Sequence, residues 1–122
     1  DGWTKLMGVF EGKLFVIGDD LLATNPKLVQ KAIETKACNA ILVKPNQIGT
    51  VSQTLEVIGL ANKAGWKIIV SHRSGETNDS AIADFAVGVG ADYVKFGAPA
   101  RGERVAKYNR LQAIEIELGL KK

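Results

Sequence analysis

Lys67-Ile68-Ile69-Val70, running directly into Ser71-His72-Arg73-Ser74-Gly75-Glu76-Thr77, decides the fold. The first four residues form a short, largely β-branched apolar run of the kind a parallel strand buried on both faces shows. The seven that follow carry hydroxyl, imidazole, guanidinium and carboxylate groups that no core requires. In α/β proteins, the chain just past the carboxyl end of such a strand is where ligand chemistry is placed. His72 is also the only histidine of the chain.

The same arrangement recurs on either side. Upstream, Ala40-Ile41-Leu42-Val43 exits into Lys44 and Pro45-Asn46-Gln47-Ile48-Gly49. Thr50 with Gln53 three residues on is a capping box, and it predicts a helix with Val51, Leu55, Ile58 and Ala61 on its apolar face, stopping near Gly65. Further upstream, a strand over Leu14–Gly18 exits into Asp19-Asp20, two adjacent acids that are costly without a cation, a basic partner or water. Asn25-Pro26 then reads as N-cap and first helical residue, with Leu28, Val29, Ala32 and Ile33 facing inward up to about Lys36. Residues 1–12 place Trp3, Leu6, Met7 and Phe10 on one face of a short helix ending at Gly12.

Downstream of Thr77, the spacing predicts a helix from about Asp79 to Val89 that buries Ile82, Phe85, Ala86 and Val89. A strand over Asp92–Phe96 leads through Gly97-Ala98-Pro99-Ala100-Arg101-Gly102 into a long helix with Val105, Tyr108, Leu111, Ile114 and Leu118 inward. Lys121-Lys122 reads as a frayed, solvated end. The pattern is α/β: four consecutive βα units, which imply a parallel sheet with right-handed crossovers. Four strands do not close a barrel, whereas eight do, and a flavodoxin-like domain would show five. Half of a (β/α)8 barrel is the expected architecture, with residues 1–12 as a helix before the first strand and 13–122 as the four units. A helix-first start makes Asp1 look like the middle of a longer architecture.

At 122 residues and 46% hydrophobic, the chain has the makings of one core. No apolar run approaches the roughly 18 residues that span a bilayer, and no signal-peptide pattern opens the sequence, so a cytoplasmic protein is expected. The single cysteine, Cys38, has no internal disulfide partner and reads as a small buried packing residue. The net charge is +3 and the pI about 9.1. Arg101, Arg104, Lys107 and Arg110 recur every three residues, but Glu103, Glu115 and Glu117 interrupt or follow them and no aromatic platform stands alongside. That distribution argues against a nucleic-acid surface and for a solvated helix face, or an anion site where the helix begins.

Asp19, Lys44, His72 and Lys95 stand at the four strand exits, at separations of 25, 28 and 23 residues. In a barrel all four serve the carboxyl-terminal face, where catalytic groups sit. A carboxylate at Asp19 suits a hard cation such as Mg2+. One lysine can act as a base while another holds an anion. Arg73 and Ser74 add donors with the geometry for phosphate or carboxylate. Together they suggest proton abstraction beside a carboxylate, with a metal stabilising the enolate.

Four motifs in order, Gly18-Asp19-Asp20-Leu21 with Thr24-Asn25-Pro26, Lys44 with Asn46-Gln47-Ile48-Gly49-Thr50, Ser71 to Thr77, and Lys95 with Gly97 to Arg104, resemble the carboxyl-terminal part of enolase, phosphopyruvate hydratase. The similarity runs through nearly the whole chain. The resemblance implies Mg2+-dependent dehydration of 2-phosphoglycerate to phosphoenolpyruvate, a glycolytic lyase reaction. It implies that Asp19 is a Mg2+ ligand, that Lys44 removes the proton from carbon 2, that His72, Arg73 and Ser74 meet the phosphate in the closing site, and that Lys95 pairs with the substrate carboxylate. His72 and Lys44 are thereby the catalytic candidates, and Asp20 a neighbour of the metal ligand. Pro45 stands where many family members carry an aliphatic residue.

In enolases, two further metal carboxylates and the glutamates of the acid side lie on earlier segments, which leads to the expectation that this chain is a fragment, inactive by itself. Its expected partners are the remainder of an enolase chain or a second copy, since a half-barrel exposes two sheet edges and an apolar face. The intact enzyme is expected to be a homo-oligomer. The alternative is a non-catalytic half-barrel, a scaffold or binding module. Because enolases bind plasminogen through terminal lysines, Lys121-Lys122 keeps a cell-surface role open.

Overall fold

The computed structural model describes residues 2–120. Asp1 and the Lys121-Lys122 tail lie outside the described residues, and with them the frayed-end and surface-adhesion readings. Two compact units divide the chain, residues 1–69 and 70–122. The fold is α/β, matching the expected class, and among the described residues four strands follow one another in the sheet in chain order. Among the described residues no helix is long and apolar enough to cross a membrane.

The first unit holds α1 (Gly2–Phe10), β1 (Ile17–Gly18), α2 (Pro26–Glu34), β2 (Ala40–Val43), α3 (Pro45–Ile48), α4 (Val51–Lys63) and the start of β3 (Lys67–Ser71). β1 and β2 run parallel, with Ile17 opposite Ala40 and Gly18 opposite Ile41. β2 is buried along its whole length, and Ala40 and Leu42 pack with Ile69. Asn25 caps α2 as its side chain accepts from the Lys27 N–H at 3.0 Å, with Pro26 in the first turn where its missing N–H costs nothing. Thr50 caps α4 by accepting from the Gln53 N–H at 3.3 Å, and its hydroxyl donates to Gln53 Oε1 at 2.8 Å.

Four expectations need correction in this unit, the first being Leu28 of α2, read as facing inward but exposed in the structure. The first strand is only two residues, not Leu14–Gly18, because Asn39 takes over its backbone partners: the Asn39 amide accepts from the Val16 N–H at 2.7 Å and donates to the Leu14 carbonyl at 3.1 Å. The inward face of α4 is Thr54, Val57, Ile58 and Ala61, while Val51 and Leu55 are exposed. Thr54 can face inward because its hydroxyl donates to the Thr50 carbonyl at 2.8 Å, leaving its methyl group to pack. On α1, Met7 alone is buried, and Trp3 and Leu6 are exposed.

Gly18 sits where a side chain has no room. An added Cβ would stand 2.3 Å from Leu22 Cδ1 and 3.1 Å from Cys38 Sγ. Leu22 is 1% exposed and would have to shift within its packing to admit the group. Gly18→Ala is expected to lower stability by about 1–3 kcal/mol, the range for overpacking a filled core. Urea denaturation of the two forms checks this, and equal midpoints would refute it.

The second unit holds the end of β3, α5 (Ala81–Gly88), β4 (Tyr93–Lys95) and α6 (Gly102–Glu117). α5 begins two residues later than the spacing predicts, because the Asp79 carboxylate turns back to accept the Ala81 N–H at 2.7 Å. Its buried residues are Ala83 and Ala86, with Ile82, Phe85 and Val89 half-buried. On α6 the buried residues are Lys107 and Ile114, and Leu118 is exposed. Lys107 therefore does not belong to a solvated basic face. Its ammonium, 0% exposed, donates to the carbonyls of Thr77, Asp79 and Glu103 at 3.0, 3.0 and 2.7 Å. Arg110, by contrast, is an outer residue that grips the Asp84 carboxylate with two nitrogens and Glu117 with a third. That grip holds the Asp84 carboxyl below the usual carboxylate range.

Candidate functional site

In the first unit the structure brings Asp19 and Lys44 together. β1 ends at Gly18 and β2 at Val43, so these two residues leave neighbouring parallel strands at the same end. The Lys44 ammonium donates to Asp19 Oδ1 and lies 3.9 Å from Asp20 Oδ1. The Lys44 side chain is 13% exposed, Asp19 37% and Asp20 94%. Lys44 thus supplies the compensating cation that adjacent acids at a strand exit require, and it does so through Asp19. Below this pair, the Thr24 hydroxyl accepts the Lys44 backbone N–H at 3.0 Å and donates to Gln47 Oε1 at 2.9 Å. Pro45 opens α3 directly after Lys44, its fixed φ starting a single helical turn.

In the second unit His72 follows β3, and its backbone N–H donates to the carbonyl of Lys95, the last residue of β4, at 3.1 Å. That bond ties two of the predicted residues to adjacent strand ends, with the Lys95 side chain exposed. Arg73 and Ser74 are exposed on the turn beyond, whose course is set by Glu76: its carboxylate accepts the Arg73 N–H at 3.1 Å and lies 3.3 Å from the buried Lys107 ammonium. Glu76 thus holds the loop through two contacts. His72 Nδ1 is buried with no hydrogen-bond partner among the described residues.

Gly97 closes the other side of the imidazole. Its φ is +84°, and a Cβ there would stand 2.6 Å from Arg104 Cδ and 3.0 Å from His72 Cε1, so only a bare α-carbon lets Arg104 and His72 share this corner. Tyr108 holds the corner from behind, its hydroxyl donating to the Gly97 carbonyl and its ring 6.1 Å from Phe96.

The His72 pKa is lowered, first by desolvation and then by the positive charges of Arg104, Lys107 and Lys95, with Glu76 pulling the other way. A histidine harder to protonate when folded binds fewer protons than its unfolded form, so its contribution to stability is complete above its ordinary pKa near 6.5 and erodes as pH falls below it. Proton NMR titration is expected to place His72 below 6.5, and Glu76→Gln is expected to move it lower still. A midpoint above 6.5, or an upward move in the variant, would contradict this electrostatic picture.

Thr24 and Gln47 hold the Lys44 backbone, a part that their residue types do not announce. Lys107 had a misleading signal, its three-residue spacing from Arg104 and Arg110.

Residues 1–122 match the protein-family model described as the enolase C-terminal TIM barrel domain. The chain belongs to the enolase family. It is 54% identical over 119 residues to enolase 1 of Methylococcus capsulatus, covering 98% of this chain and 28% of that protein. It is similarly 55% identical over 119 residues to an enolase of Rubrobacter xylanophilus, again 98% and 28%, and 52% identical over 122 residues to enolase 2 of Hevea brasiliensis, 98% and 27%. The enolase-family chain thus spans just over a quarter of the length of the curated relatives it matches. Within this family, the barrel is the setting for its strand-exit residues.

Proposed function

We propose that residues 1–122 are the carboxyl-terminal portion of an enolase barrel and that its strand-exit side chains act in the Mg2+-dependent dehydration of 2-phosphoglycerate to phosphoenolpyruvate. The observation that carries this is the pairing of Lys44 with Asp19 at the ends of β2 and β1, in a chain of this family. Lys44 takes the proton from carbon 2, and the electron pair left behind forms the double bond as the carbon-3 hydroxyl departs as water. The acid that protonates that hydroxyl is not assigned to a residue of this chain. His72, Arg73 and Ser74 bind the phosphate, and Lys95 pairs with the substrate carboxylate.

Asp19 has the hard oxygen donor that Mg2+ prefers and would be the residue to hold it. Among the described residues no group of three or more His, Cys, Asp or Glu converges as a metal centre, so Asp19 is one donor of a set rather than a site by itself. When bound, the cation offsets charge that develops on the substrate carboxylate. The cytoplasm is the proposed setting, and an oligomer the proposed state of the assembled enzyme.

The test is a hybrid enzyme in which residues 1–122 replace the matching stretch of the Methylococcus capsulatus relative, followed by ultraviolet absorbance of phosphoenolpyruvate. Mg2+-dependent turnover is expected. A folded hybrid with no turnover would refute the proposal.

A further inference from the structure

Thr24 is wholly buried, and its backbone is left-handed with φ 50°, a conformation that is an outlier for a β-branched residue. Ala23 before it is left-handed too, with φ 46°. Such strain persists only where the surroundings over-determine it, and it gathers at sites where geometry matters. Here the surroundings are specific. A threonine hydroxyl has one proton to give and lone pairs to accept with. Gln47 Oε1 takes the proton at 2.9 Å, which leaves a lone pair for the Lys44 N–H at 3.0 Å.

The same turn carries Asp19. Its carbonyl accepts the N–H groups of Leu22 and Ala23 at 3.0 and 2.9 Å, so Asp19 opens the turn and Thr24 closes it. From Thr24 the contact passes to the Lys44 backbone, and the Lys44 side chain returns to Asp19. The circuit closes on the two groups that matter for the chemistry proposed above. A valine would fill the volume of Thr24 equally well, so packing does not explain the hydroxyl.

We infer that Thr24 is a positioning residue: its hydroxyl, oriented by Gln47, fixes the Lys44 backbone at the end of β2 so that the ammonium is held against Asp19. The inference rests on the assignment of Lys44 as the base, but its test does not.

The test compares Thr24→Val, which keeps the shape and loses the hydroxyl, with Thr24→Ser, which keeps the hydroxyl. Lys44 is acetylated with limiting acetic anhydride in the 122-residue chain, and peptide mass spectrometry reads its rate against the exposed Lys27 and Lys31 of α2. Thr24→Val is expected to raise the relative rate of Lys44 about fivefold, the population shift that loss of one hydrogen bond allows, and Thr24→Ser to leave it within about twofold. An unchanged rate in Thr24→Val, or an equal rise in both variants, would overturn the inference. The buried Cys38 thiol, whose pKa burial pushes up to about 11, reports folding of the unit through its resistance to thiol reagents. If Thr24→Val exposes Cys38, Gln47→Leu carries the test, with the same rise expected and an unchanged rate overturning it. Because labelling needs no turnover, a negative result here and an inactive hybrid are separate failures.

Discussion

Lys44→Ala in the hybrid enzyme is expected to lower kcat about a thousandfold while KM changes little. Removing a positioned general base costs on the order of 10^2 to 10^4 in rate, and phosphate and carboxylate contacts assigned to His72, Arg73, Ser74 and Lys95 do not depend on it. The truncation also strips Asp19 of the ammonium it accepts from. Since the Asp19 side chain is 37% exposed, water can take the place of that cation and the fold should survive. Circular dichroism of the variant is expected to overlay the parent. Steady-state kinetics that show a raised KM with kcat intact would assign Lys44 to ground-state binding instead.

Lys107→Met is the change with the largest expected effect on folding. Methionine approximates the length of the lysine stem but leaves the Thr77, Asp79 and Glu103 carbonyls without their shared donor and Glu76 without its buried counter-charge. A buried carbonyl left without a donor costs about 1–3 kcal/mol, and Glu76, whose side chain is 20% exposed, can draw on water in place of the lost cation, so a loss of about 3 kcal/mol is expected. Arginine should not rescue it, since a planar fork cannot direct its protons at three carbonyls grouped around a point charge. Denaturation midpoints measure the loss. Hydrogen exchange at the Arg73 amide, which Glu76 accepts, is expected to quicken alongside. A variant within about 0.5 kcal/mol of the parent would mean that the surface-substitution range applies and that Lys107 carries no such load.

Where the sequence was legible, a local rule had no competitor. β2 ends at Val43 as its uninterrupted apolar run implies, and Asn25-Pro26 and Thr50 with Gln53 mark helix starts by chemistry that needs only neighbours in the chain. The residues that lost legibility are those whose partners are distant. Leu14 and Phe15 read as strand, yet the Asn39 amide, more than twenty residues on, occupies the backbone groups of Leu14 and Val16. Lys107 has the periodicity of a surface cation, and only the folded positions of Thr77, Asp79 and Glu76 make it an interior one.

The candidate site divides the same way. Strand-exit placement names Asp19, Lys44, His72 and Lys95, and because consecutive parallel strands align their ends, Asp19 meets Lys44 and His72 bonds to the Lys95 backbone. Nothing in a one-dimensional pattern foretells that Thr24 adopts a left-handed backbone, or that Gly97 is bare to admit Arg104 beside His72. Those are properties of close approach, and residue type alone does not encode them.

Exchange of the carbon-2 proton of 2-phosphoglycerate, followed by NMR in D2O with the hybrid enzyme and its Lys44→Ala variant, bears most directly on the assignment of the base. Deuterium entering carbon 2 with the parent and not with the folded variant is the expected result. Equal incorporation in both would show that another group removes the proton, and Lys44 would lose its role.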